Sequence, residues 1–539
     1  MPDPATEPRP AQNEAVGESV LVQFTDMAHG GDAVGRLGDA GLALFAWPGI
    51  KGEQANVAIT SRRPNLLRGQ VIEVVVPSPL RTTPPCPYFG SCGGCQWQHI
   101  EYAGQVQFKH DILHSQLERS AGITNLDDIL KPPLASPAPF HYRNTSHFAI
   151  AQPSRSLGYF KRDTHTVIEV EQCPISNEGI NRTIPLINGL LAESPPEDFL
   201  GAGARGVMRV WQVTLRSSDV TGHTLAIFHS RAEGAAKPRN VRGSRRAPAP
   251  ARPVDGPGLE PDAASNPDIP LVRRQVRKAI SALYRQQEGD GKPLALTVVE
   301  VMEDGTVNML GATRAAADLS TEAAADVLTG SYLKSSSKRV PAAEEGAPIG
   351  AWVEDLGGRH YWVAPEAFFQ ANTPAADLLL SEVLEHVPAK VGTVIDAHAG
   401  VGTFALAAAQ RARQVIAFEL SNSAVTSGRW TAAVSGITNV EFRQGRAEHL
   451  MPRLKKAESP ELILLDPPRT GCHPELIASM LLTQAARIIY VSCDPSTLAR
   501  DIKALSAAYE LTSARVVDMF PQTFHIETVV VLDRRAHQA

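Results

Sequence analysis

The spacing of hydrophobic and polar positions divides the chain into three parts. The first, residues 17–78, contains short apolar and β-branched runs separated by glycine-containing turns, as in Leu42–Phe45 and Gly69–Val76. Short strands at this spacing predict a small β-barrel of the oligonucleotide-binding type. The pattern alone leaves two interpretations open: a barrel that binds an oligonucleotide, and a barrel that only supports the fold.

The second part, residues 79–362, has a mixed pattern that predicts an α+β domain. Residues 81–98 are dominated by Pro, Cys and Gly, which indicates an irregular loop, and Tyr102–Arg119 has helical spacing. Between residues 231 and 270 the apolar periodicity is lost and Pro, Ala, Gly and Arg dominate, so we predict a disordered insertion. Its arginines could form a basic arm that attracts phosphate, or a linker whose charges only keep it soluble.

The third part, residues 363–539, alternates buried apolar segments with helical ones. The apolar segments are Thr393–Ile395, Val415–Phe418, Leu462–Leu465 and Arg487–Val491. Buried parallel strands joined by crossover helices produce this pattern. The predicted fold class is therefore α/β, with a Rossmann-like C-terminal domain that follows the barrel and the central α+β domain.

Composition restricts the class of protein further. A chain of 539 residues is too long for a single hydrophobic core, and it contains no uninterrupted apolar run that could span a bilayer. Residues 1–18 lack a basic region followed by an apolar run, so we predict no secretory signal and a cytoplasmic location. The net charge of −5 shows no global basic footprint, so any contact with RNA has to be local.

A strand, a glycine loop and a helix start follow one another at Val394–Phe404, which predicts a cofactor site beyond the carboxyl end of that strand. Glu419 ends the next strand about 19 residues beyond Gly400, where its carboxylate can accept hydrogen bonds from both ribose hydroxyls of an adenosine. Both features also fit a nicotinamide cofactor. The sequence Asp466-Pro467-Pro468-Arg469 after the fourth strand favours a methyltransferase, because stiff prolines offer a floor for a flat substrate.

Cys493 follows an apolar strand and precedes a helix. A lone cysteine is often a packed structural thiol, but a helix N-terminus depresses the pKa of a thiol and favours the nucleophilic thiolate. Carbon 5 of uracil needs covalent activation before it accepts a methyl group, and attack by Cys493 on carbon 6 would supply it. A base must then remove the carbon 5 proton. Glu527, at the start of the last strand, is the candidate, and His525 is its rival.

Four of the six cysteines form a candidate metal site. Cys86, Cys92 and Cys95 are close in sequence, and Cys173 is distant. Four thiolates suit a tetrahedral zinc ion or a four-iron cluster alike, and spacing does not separate the two.

Three motifs together resemble the RNA uracil-5 methyltransferase family. They are Asp466–Arg469, Ser492–Asp501 and Phe520–Glu527, in this order. The chain is most similar to the branch with an N-terminal TRAM domain and a four-cysteine iron-sulfur cluster, which methylates 23S ribosomal RNA. The resemblance implies a class I methyltransferase domain, S-adenosylmethionine as cofactor, and a [4Fe-4S] cluster rather than zinc.

The resemblance also assigns roles to residues. It implies Cys493 as the nucleophile, Glu527 as the base and RNA as the partner. We expect the protein to be monomeric. The cofactor contacts that it implies are Gln370, His398, Thr403, Glu419, Arg446 and Asp466. His398 and Arg446 depart from the family pattern, which usually has an aromatic residue and a small Asn or Asp at these positions. It further implies that Arg143 and Asn144 lie in a segment that faces RNA, although a structural role for both residues is equally open.

Other functions remain open on the sequence. The substrate could be transfer RNA, or the chain could be a noncatalytic RNA-binding protein with a methyltransferase-like core. A nicotinamide-dependent oxidoreductase has only the glycine loop in its favour. A cytosine-5 methyltransferase would have a cysteine after a proline in the fourth-strand motif, where this chain has Pro467-Pro468.

Overall fold

The computed structural model describes residues 16–38, 41–193, 200–203, 206–232, 295–302, 307–312 and 348–536. Within them, the first five strands form a closed barrel in the order β1-β2-β3-β5-β4. Their bounds are β1 Ser19–Met27, β2 Ala33–Leu37, β3 Leu42–Trp47, β4 Gln54–Arg63 and β5 Leu66–Val76. Alternate side chains such as Val22, Phe24 and Val57 are buried inside it, as the period of two requires.

A helical segment follows the cysteine-rich loop. It comprises α1, Tyr102–Gln116, a π-helical turn, Leu117–Ala121, that ends at the left-handed Gly122, and the short helix α2, Leu126–Ile129. The helix α1 packs against strands and helices of the C-terminal domain. This helix is therefore part of the scaffold beneath that domain.

The central sheet has the strand order β13-β12-β11-β10-β6-β7-β8, and β9 pairs with β10. One helix, α3, Glu178–Glu193, packs on β7 and β10. The strands are β6 Thr145–Ile150, β7 Leu157–Phe160, β8 Val167–Glu169, β9 Leu200–Gly203, β10 Gly206–Ser217, β11 His223–Ala232, β12 Ala295–Met302 and β13 Val307–Ala312. A hairpin of β14, Trp352–Leu356, and β15, Arg359–Val363, leads into the C-terminal domain.

The disordered insertion was predicted to begin at residue 231, which is too early. Strand β11 continues through Ala232, because Arg231 and Ala232 pair in register with Arg209 and Met208 of β10. Residues 233–270, which carry the rest of the predicted disordered insertion and its basic arm, lie outside the described residues.

The C-terminal sheet has the order β18-β17-β16-β19-β20-β22-β21 and is parallel except for β22. Its strands are β16 Val391–Asp396, β17 Ala412–Glu419, β18 Val440–Gln444, β19 Leu462–Leu465, β20 Arg487–Ser492, β21 Tyr509–Val517 and β22 Glu527–Arg534. Its helices are α4 Thr373–His386, α5 Thr403–Ala408, α6 Asn422–Val434, α7 Ala447–Leu450, α8 Pro474–Thr483 and α9 Pro495–Leu505. The central strands are buried on both faces, which explains their continuous apolar sequences.

The barrel and the C-terminal domain share one hydrophobic core. It runs from Phe24 in the barrel through Trp97 and Leu113 to Tyr490 and Leu511. The indole nitrogen of Trp97 also donates a hydrogen bond of 3.0 Å to the carbonyl oxygen of Gly31 in the barrel. The N-terminal parts are therefore packed onto the domain that carries the candidate site. In the described part of the chain, no helix is both long and apolar enough to cross a membrane.

Candidate functional site

The carboxyl ends of β16, β17, β19 and β20 line a cavity of about 1300 Å³. Ligands of open parallel sheets bind at this edge. All eight site residues that were predicted in the C-terminal domain line the cavity. They are Gln370, His398, Thr403, Glu419, Arg446, Asp466, Cys493 and Glu527.

The glycine loop and Glu419 form one hydrogen-bonded unit. Gly400 donates its backbone N–H to Oε2 of Glu419 at 2.9 Å, and Ser421 donates to Oε1 at 2.6 Å. Gly402 has a φ of 87° at the start of α5, and a Cβ there would lie 2.6 Å from the ring of Phe442. Each oxygen of Glu419 keeps a lone pair for a ligand hydroxyl, because it accepts only one of these bonds.

Asn144 has a different position from the one that the resemblance implied. Its side chain is 3% exposed, and its amide donates to the carbonyl oxygen of Gln370 at 2.9 Å and to Oγ1 of Thr373 at 2.8 Å. Its backbone N–H also donates to the carbonyl oxygen of Ala371. Asn144 therefore does not face RNA. It fixes the segment that brings Gln370 to the cavity.

The two departures from the family pattern lie at the rim and the wall of the cavity. Arg446 immediately precedes α7, its side chain is 58% exposed, and it forms an ion pair of 3.5 Å with Glu448. Burial lowers the pKa of His398 to about 4, so this imidazole is neutral at physiological pH. A neutral wall suits a cationic ligand better than an imidazolium would.

Cys493 and Glu527 lie beside each other at the end of two antiparallel strands. Ser492 of β20 pairs with Thr528 of β22, which brings the adjoining Cys493 and Glu527 to the same end of the two strands, and both line the cavity. Glu527 is 5% exposed. Burial, and then the nearby Asp466, raise the pKa of Glu527 well above its usual value, while Arg469 opposes this shift.

The prediction that a helix N-terminus depresses the pKa of Cys493 is wrong for the free protein. The free backbone N–H groups of α9 are used by Asp494, whose Oδ1 accepts from Ser496 at 3.0 Å and Thr497 at 2.9 Å. Burial and the carboxylates of Glu527 and Asp466 raise the pKa of the Cys493 thiol to about 12. The thiol therefore needs a change in its charged surroundings before it can react.

An acid that the sequence analysis missed lies directly before Ala397 and His398, which line the cavity. Asp396 ends β16 and is fully buried, and burial followed by the charge of Asp466 raises its pKa to about 8. Burial raises the pKa of Asp466 itself to about 7. The signal was present in the sequence, because an acidic residue that ends a buried strand before a glycine loop has to lie at the ligand edge.

His525, the rival base, is held as a neutral imidazole. Its ring lies 3.4 Å from the guanidinium of Arg469 and packs at 4.5 Å from the ring of Phe524. Burial, and then Arg469, lower the pKa of His525 to about 3. A base that weak takes a proton from carbon poorly, so the lowered pKa of His525 favours Glu527 in this role.

The four predicted metal ligands line a second cavity, of about 210 Å³. Cys86, Cys92, Cys95 and Cys173 all contribute to its wall. The cysteine-rich loop reaches Cys173 because Gly93 donates its N–H to the carbonyl oxygen of Phe160 in the central sheet. Burial raises the pKa of Cys92 to about 11 and of Cys95 to about 12, and the thiols raise one another's further. A bound cation would reverse these shifts.

Comparison with known proteins agrees with this arrangement. Residues 355–535 match the family model described as tRNA (uracil-5-)-methyltransferase. The C-terminal domain is therefore similar to the RNA uracil-5 methyltransferase family. The matched residues include every strand of the C-terminal sheet, together with Cys493 and Glu527.

Proteins similar over the whole chain are described as RNA methyltransferases. An uncharacterized RNA methyltransferase of Gloeobacter violaceus is 28% identical over 98% of this chain and 99% of its own length. An uncharacterized RNA methyltransferase of Synechocystis is 28% identical, with 96% of each chain covered.

The solved structure of the Pyrococcus abyssi tRNA (uracil-54, C5)-methyltransferase, in complex with S-adenosyl-L-homocysteine, has a TM-score of 0.58 at 19% identity. The comparison covers 96% of this chain and 100% of that one. This likeness concerns the fold, and with the observed barrel it confirms the predicted fold class.

Proposed function

We propose that the protein transfers the methyl group of S-adenosylmethionine to carbon 5 of a uridine in RNA, with Cys493 as nucleophile and Glu527 as base. The observation that carries the proposal is the placement of this thiol and this carboxylate side by side at the ligand edge of the sheet, in one cavity with Asp466 and Glu419. The match of residues 355–535 to the uracil-5 methyltransferase family model supports the same reaction.

The residues around the glycine loop fit the cofactor. The free lone pairs of Glu419 would accept the ribose hydroxyls, and Gln370, Thr403 and neutral His398 would line the rest of the site. Arg446 lies at the exposed rim of the cavity, so it would contact the adenine only from the solvent side. When bound, the sulfonium group supplies an electrophilic methyl group, and its positive charge favours ionised forms of the nearby carboxyl groups.

In the first half of the reaction, the sulfur of Cys493 bonds to carbon 6 of the uracil ring. The electron pair of the 5,6 double bond moves towards the carbonyl oxygen at carbon 4. The resulting enolate would take the methyl group at carbon 5, and the electrons of the broken S–CH3 bond would stay on the sulfur of the departing S-adenosylhomocysteine. The pKa of about 12 means that the free protein holds a protonated thiol. The Cys493 thiol would therefore lose its proton only when the cofactor is bound, because the positive charge of the sulfonium offsets the charges of Asp466 and Glu527.

In the second half, Glu527 removes the proton from carbon 5. The electrons of that C–H bond restore the double bond, and the C6–S bond breaks to return the thiolate of Cys493. A buried carboxylate with a raised pKa is a stronger base than an exposed one, which suits this step. The target base has to leave its stack to reach this depth, as in other enzymes that modify bases.

We propose 23S ribosomal RNA as the substrate, because the barrel and the four clustered cysteines match the family branch that acts on it. Transfer RNA is the alternative, and the names of the family model and of the Pyrococcus enzyme favour it. Mapping of 5-methyluridine in both RNA classes, from cells with and without the gene, decides between them. Loss of the mark from transfer RNA alone would contradict the ribosomal assignment.

We propose a [4Fe-4S] cluster at Cys86, Cys92, Cys95 and Cys173. Tetrahedral zinc with bonds of about 2.3 Å places its sulfurs about 3.8 Å apart. Among the described residues, however, no three cysteine sulfurs lie within 4.8 Å of one another. The wider spacing supports a larger group. We expect anaerobically purified protein to contain iron and sulfide in equal amounts, and Cys95→Ser to lose both. One equivalent of zinc in place of iron would contradict the proposal.

We also propose that the protein acts as a cytoplasmic monomer, since ribosomal and transfer RNA are met in that compartment and the cavity is completed by residues of one chain. Light scattering on the purified protein gives the mass, and cell fractionation gives the location. A stable dimer, or sedimentation with membranes, would contradict this part.

The catalytic assignment is tested with RNA and labelled cofactor. Cys493→Ala should abolish methylation, and Glu527→Gln should accumulate a covalent protein–RNA adduct, because the adduct forms but cannot eliminate. Cys472→Ala is the matched control, since this other thiol of the cavity wall is buried and donates to Tyr490 at 3.7 Å. Full activity of Cys493→Ala would refute the mechanism.

A further inference from the structure

Lys109 of α1 is a buried cation with no role in the reaction described above. Its side chain and that of Asp518 are both 0% exposed, and Nζ lies 2.7 Å from Oδ1 of Asp518. Nζ also donates to the carbonyl oxygen of Phe520 at 3.0 Å, and Oδ1 of Asp518 accepts the backbone N–H of Phe520 at 3.2 Å. One ion pair therefore fixes both backbone polar groups of Phe520.

Gln105, one helical turn before Lys109, holds the same loop. Its amide donates to Oε1 of Gln522 at 2.9 Å, and its Oε1 accepts the backbone N–H of Gln522 at 2.8 Å. Residues four apart lie on one face of a helix, so α1 presents both side chains to the loop 518–526. Gln522 has a φ of 69°, a conformation that needs such external support.

Other bonds to this loop also come from outside the methyltransferase domain. Tyr142 donates its hydroxyl to the carbonyl oxygen of Pro521 at 2.9 Å. The carbonyl oxygen of Gln522 accepts the backbone N–H groups of Gln96, at 3.1 Å, and Trp97, at 3.0 Å. The loop that leads into Glu527 is thus attached to the central region, whereas Cys493 is carried by β20 and α9 of the methyltransferase domain itself.

We propose that Lys109 and Gln105 are positioning residues that hold the loop 518–526 so that Glu527 reaches the carbon 5 proton, and that they serve elimination rather than adduct formation. This inference rests on the proposed function. Hydrogen bonds continue from Phe520 along the loop towards Glu527. The Oγ1 of Thr523 donates to the carbonyl oxygen of Phe520 at 2.8 Å, and it accepts the N–H of His525 at 3.3 Å. Glu527 follows His525 by two residues.

The two halves of the reaction depend on different supports. Formation of the C6–S bond depends on Cys493, which is carried by β20 and α9 rather than by the loop that Lys109 holds. Proton removal needs an oxygen of Glu527 at carbon 5 while the C–H electrons restore the double bond and the C6–S bond breaks. A shift of about 1 Å in a reacting group can cost about 100-fold in rate, so loosening the loop should slow this step alone.

The test separates the halves with two RNA probes, both 23S ribosomal RNA transcripts. One contains 5-fluorouridine, which has no carbon 5 proton, so attack and methylation end in a trapped adduct. The other contains uridine tritiated at carbon 5, and tritium release reports proton removal. The variants are K109M/D518N, which removes both charges and keeps an oxygen acceptor for Phe520, and Q105M, which changes no charge.

For either variant we expect adduct trapping on fluorinated RNA within about twofold of the unaltered protein. We expect tritium release to fall about 10- to 100-fold, with adduct accumulating on normal RNA. The matched control R515M/E382Q removes a partly buried ion pair, of 2.8 Å, between β21 and α4, and should leave the ratio of the two signals unchanged. Cofactor affinity confirms that each variant is folded; if the double variant does not fold, Q105M decides.

Two outcomes would overturn the inference. One is tritium release at the normal rate in a folded variant, and the other is an equal fall in trapping and release, which a purely structural role would give. Failure of the proposed function is distinguishable, because the unaltered protein would then trap neither this RNA nor a fluorinated transfer RNA transcript.

Discussion

Binding of the methyl donor should release a proton, and its affinity should therefore depend on pH. Burial raises the pKa of Asp466 to about 7 and that of Asp396 to about 8 in the free protein. At pH 6 both carboxyl groups carry a proton. A cation within about 4–6 Å lowers the pKa of a carboxyl group by about 1–3 units, so the sulfonium should ionise Asp466 as it binds.

The magnitude follows from this shift. If the pKa of Asp466 falls by about two units in the complex, the affinity for S-adenosylmethionine should rise about 50-fold from pH 5 to pH 8. The sign is fixed, because the ligand prefers the ionised form: affinity is low below the pKa in the complex and becomes constant above the pKa of the free protein. S-adenosylhomocysteine, whose sulfur is neutral, should show little of this dependence.

Calorimetry in buffers of different ionisation enthalpy measures both affinity and proton release. Asp466→Asn should flatten the profile for S-adenosylmethionine. Glu448→Gln, a change of another carboxylate at the cavity wall, should not. Equal slopes for the two ligands, or an unchanged slope in Asp466→Asn, would refute the reasoning.

Three further predictions concern the support of the cofactor site. Asn144→Ala should lower stability by about 1–3 kcal/mol in urea unfolding and weaken cofactor binding, because it removes buried bonds to Gln370 and Thr373. Glu419→Gln should weaken cofactor binding about 10-fold or more in calorimetry, since one of its two acceptor oxygens becomes a donor. Gly402→Ala should cost about 1–3 kcal/mol in thermal unfolding, because its φ is 87° and a Cβ would meet a neighbouring ring.

Each of these has its own contradicting result. Unchanged cofactor affinity in a folded Asn144→Ala variant would mean that the Gln370 segment does not depend on this amide. Normal affinity in Glu419→Gln would remove the ribose assignment. For Gly402→Ala the matched control is Gly436→Ala, where φ is also positive, at 66°, but no atom lies within 4 Å of the added Cβ. An equal loss at both positions would attribute the cost to the backbone alone.

The sequence by itself determined the local elements and the edge at which the chemistry lies. Apolar runs predicted the barrel strands and the buried parallel strands, because alternation and continuous burial have local signatures. Asp466 and Cys493 directly follow predicted strands, and Glu527 begins the last one. Because the carboxyl ends of parallel strands lie at one edge of a sheet, Asp466 and Cys493 had to lie at the same edge.

Tertiary structure alone decided how these groups behave. The pKa of Cys493 is raised rather than depressed, because burial and two carboxylates from distant parts of the chain outweigh a helix start that Asp494 already caps. Asn144 became a support for Gln370, and Lys109 became a support for a loop more than 400 positions away. Local patterns follow from neighbouring residues, whereas burial, charge and support are sums over residues that only the folded chain brings together.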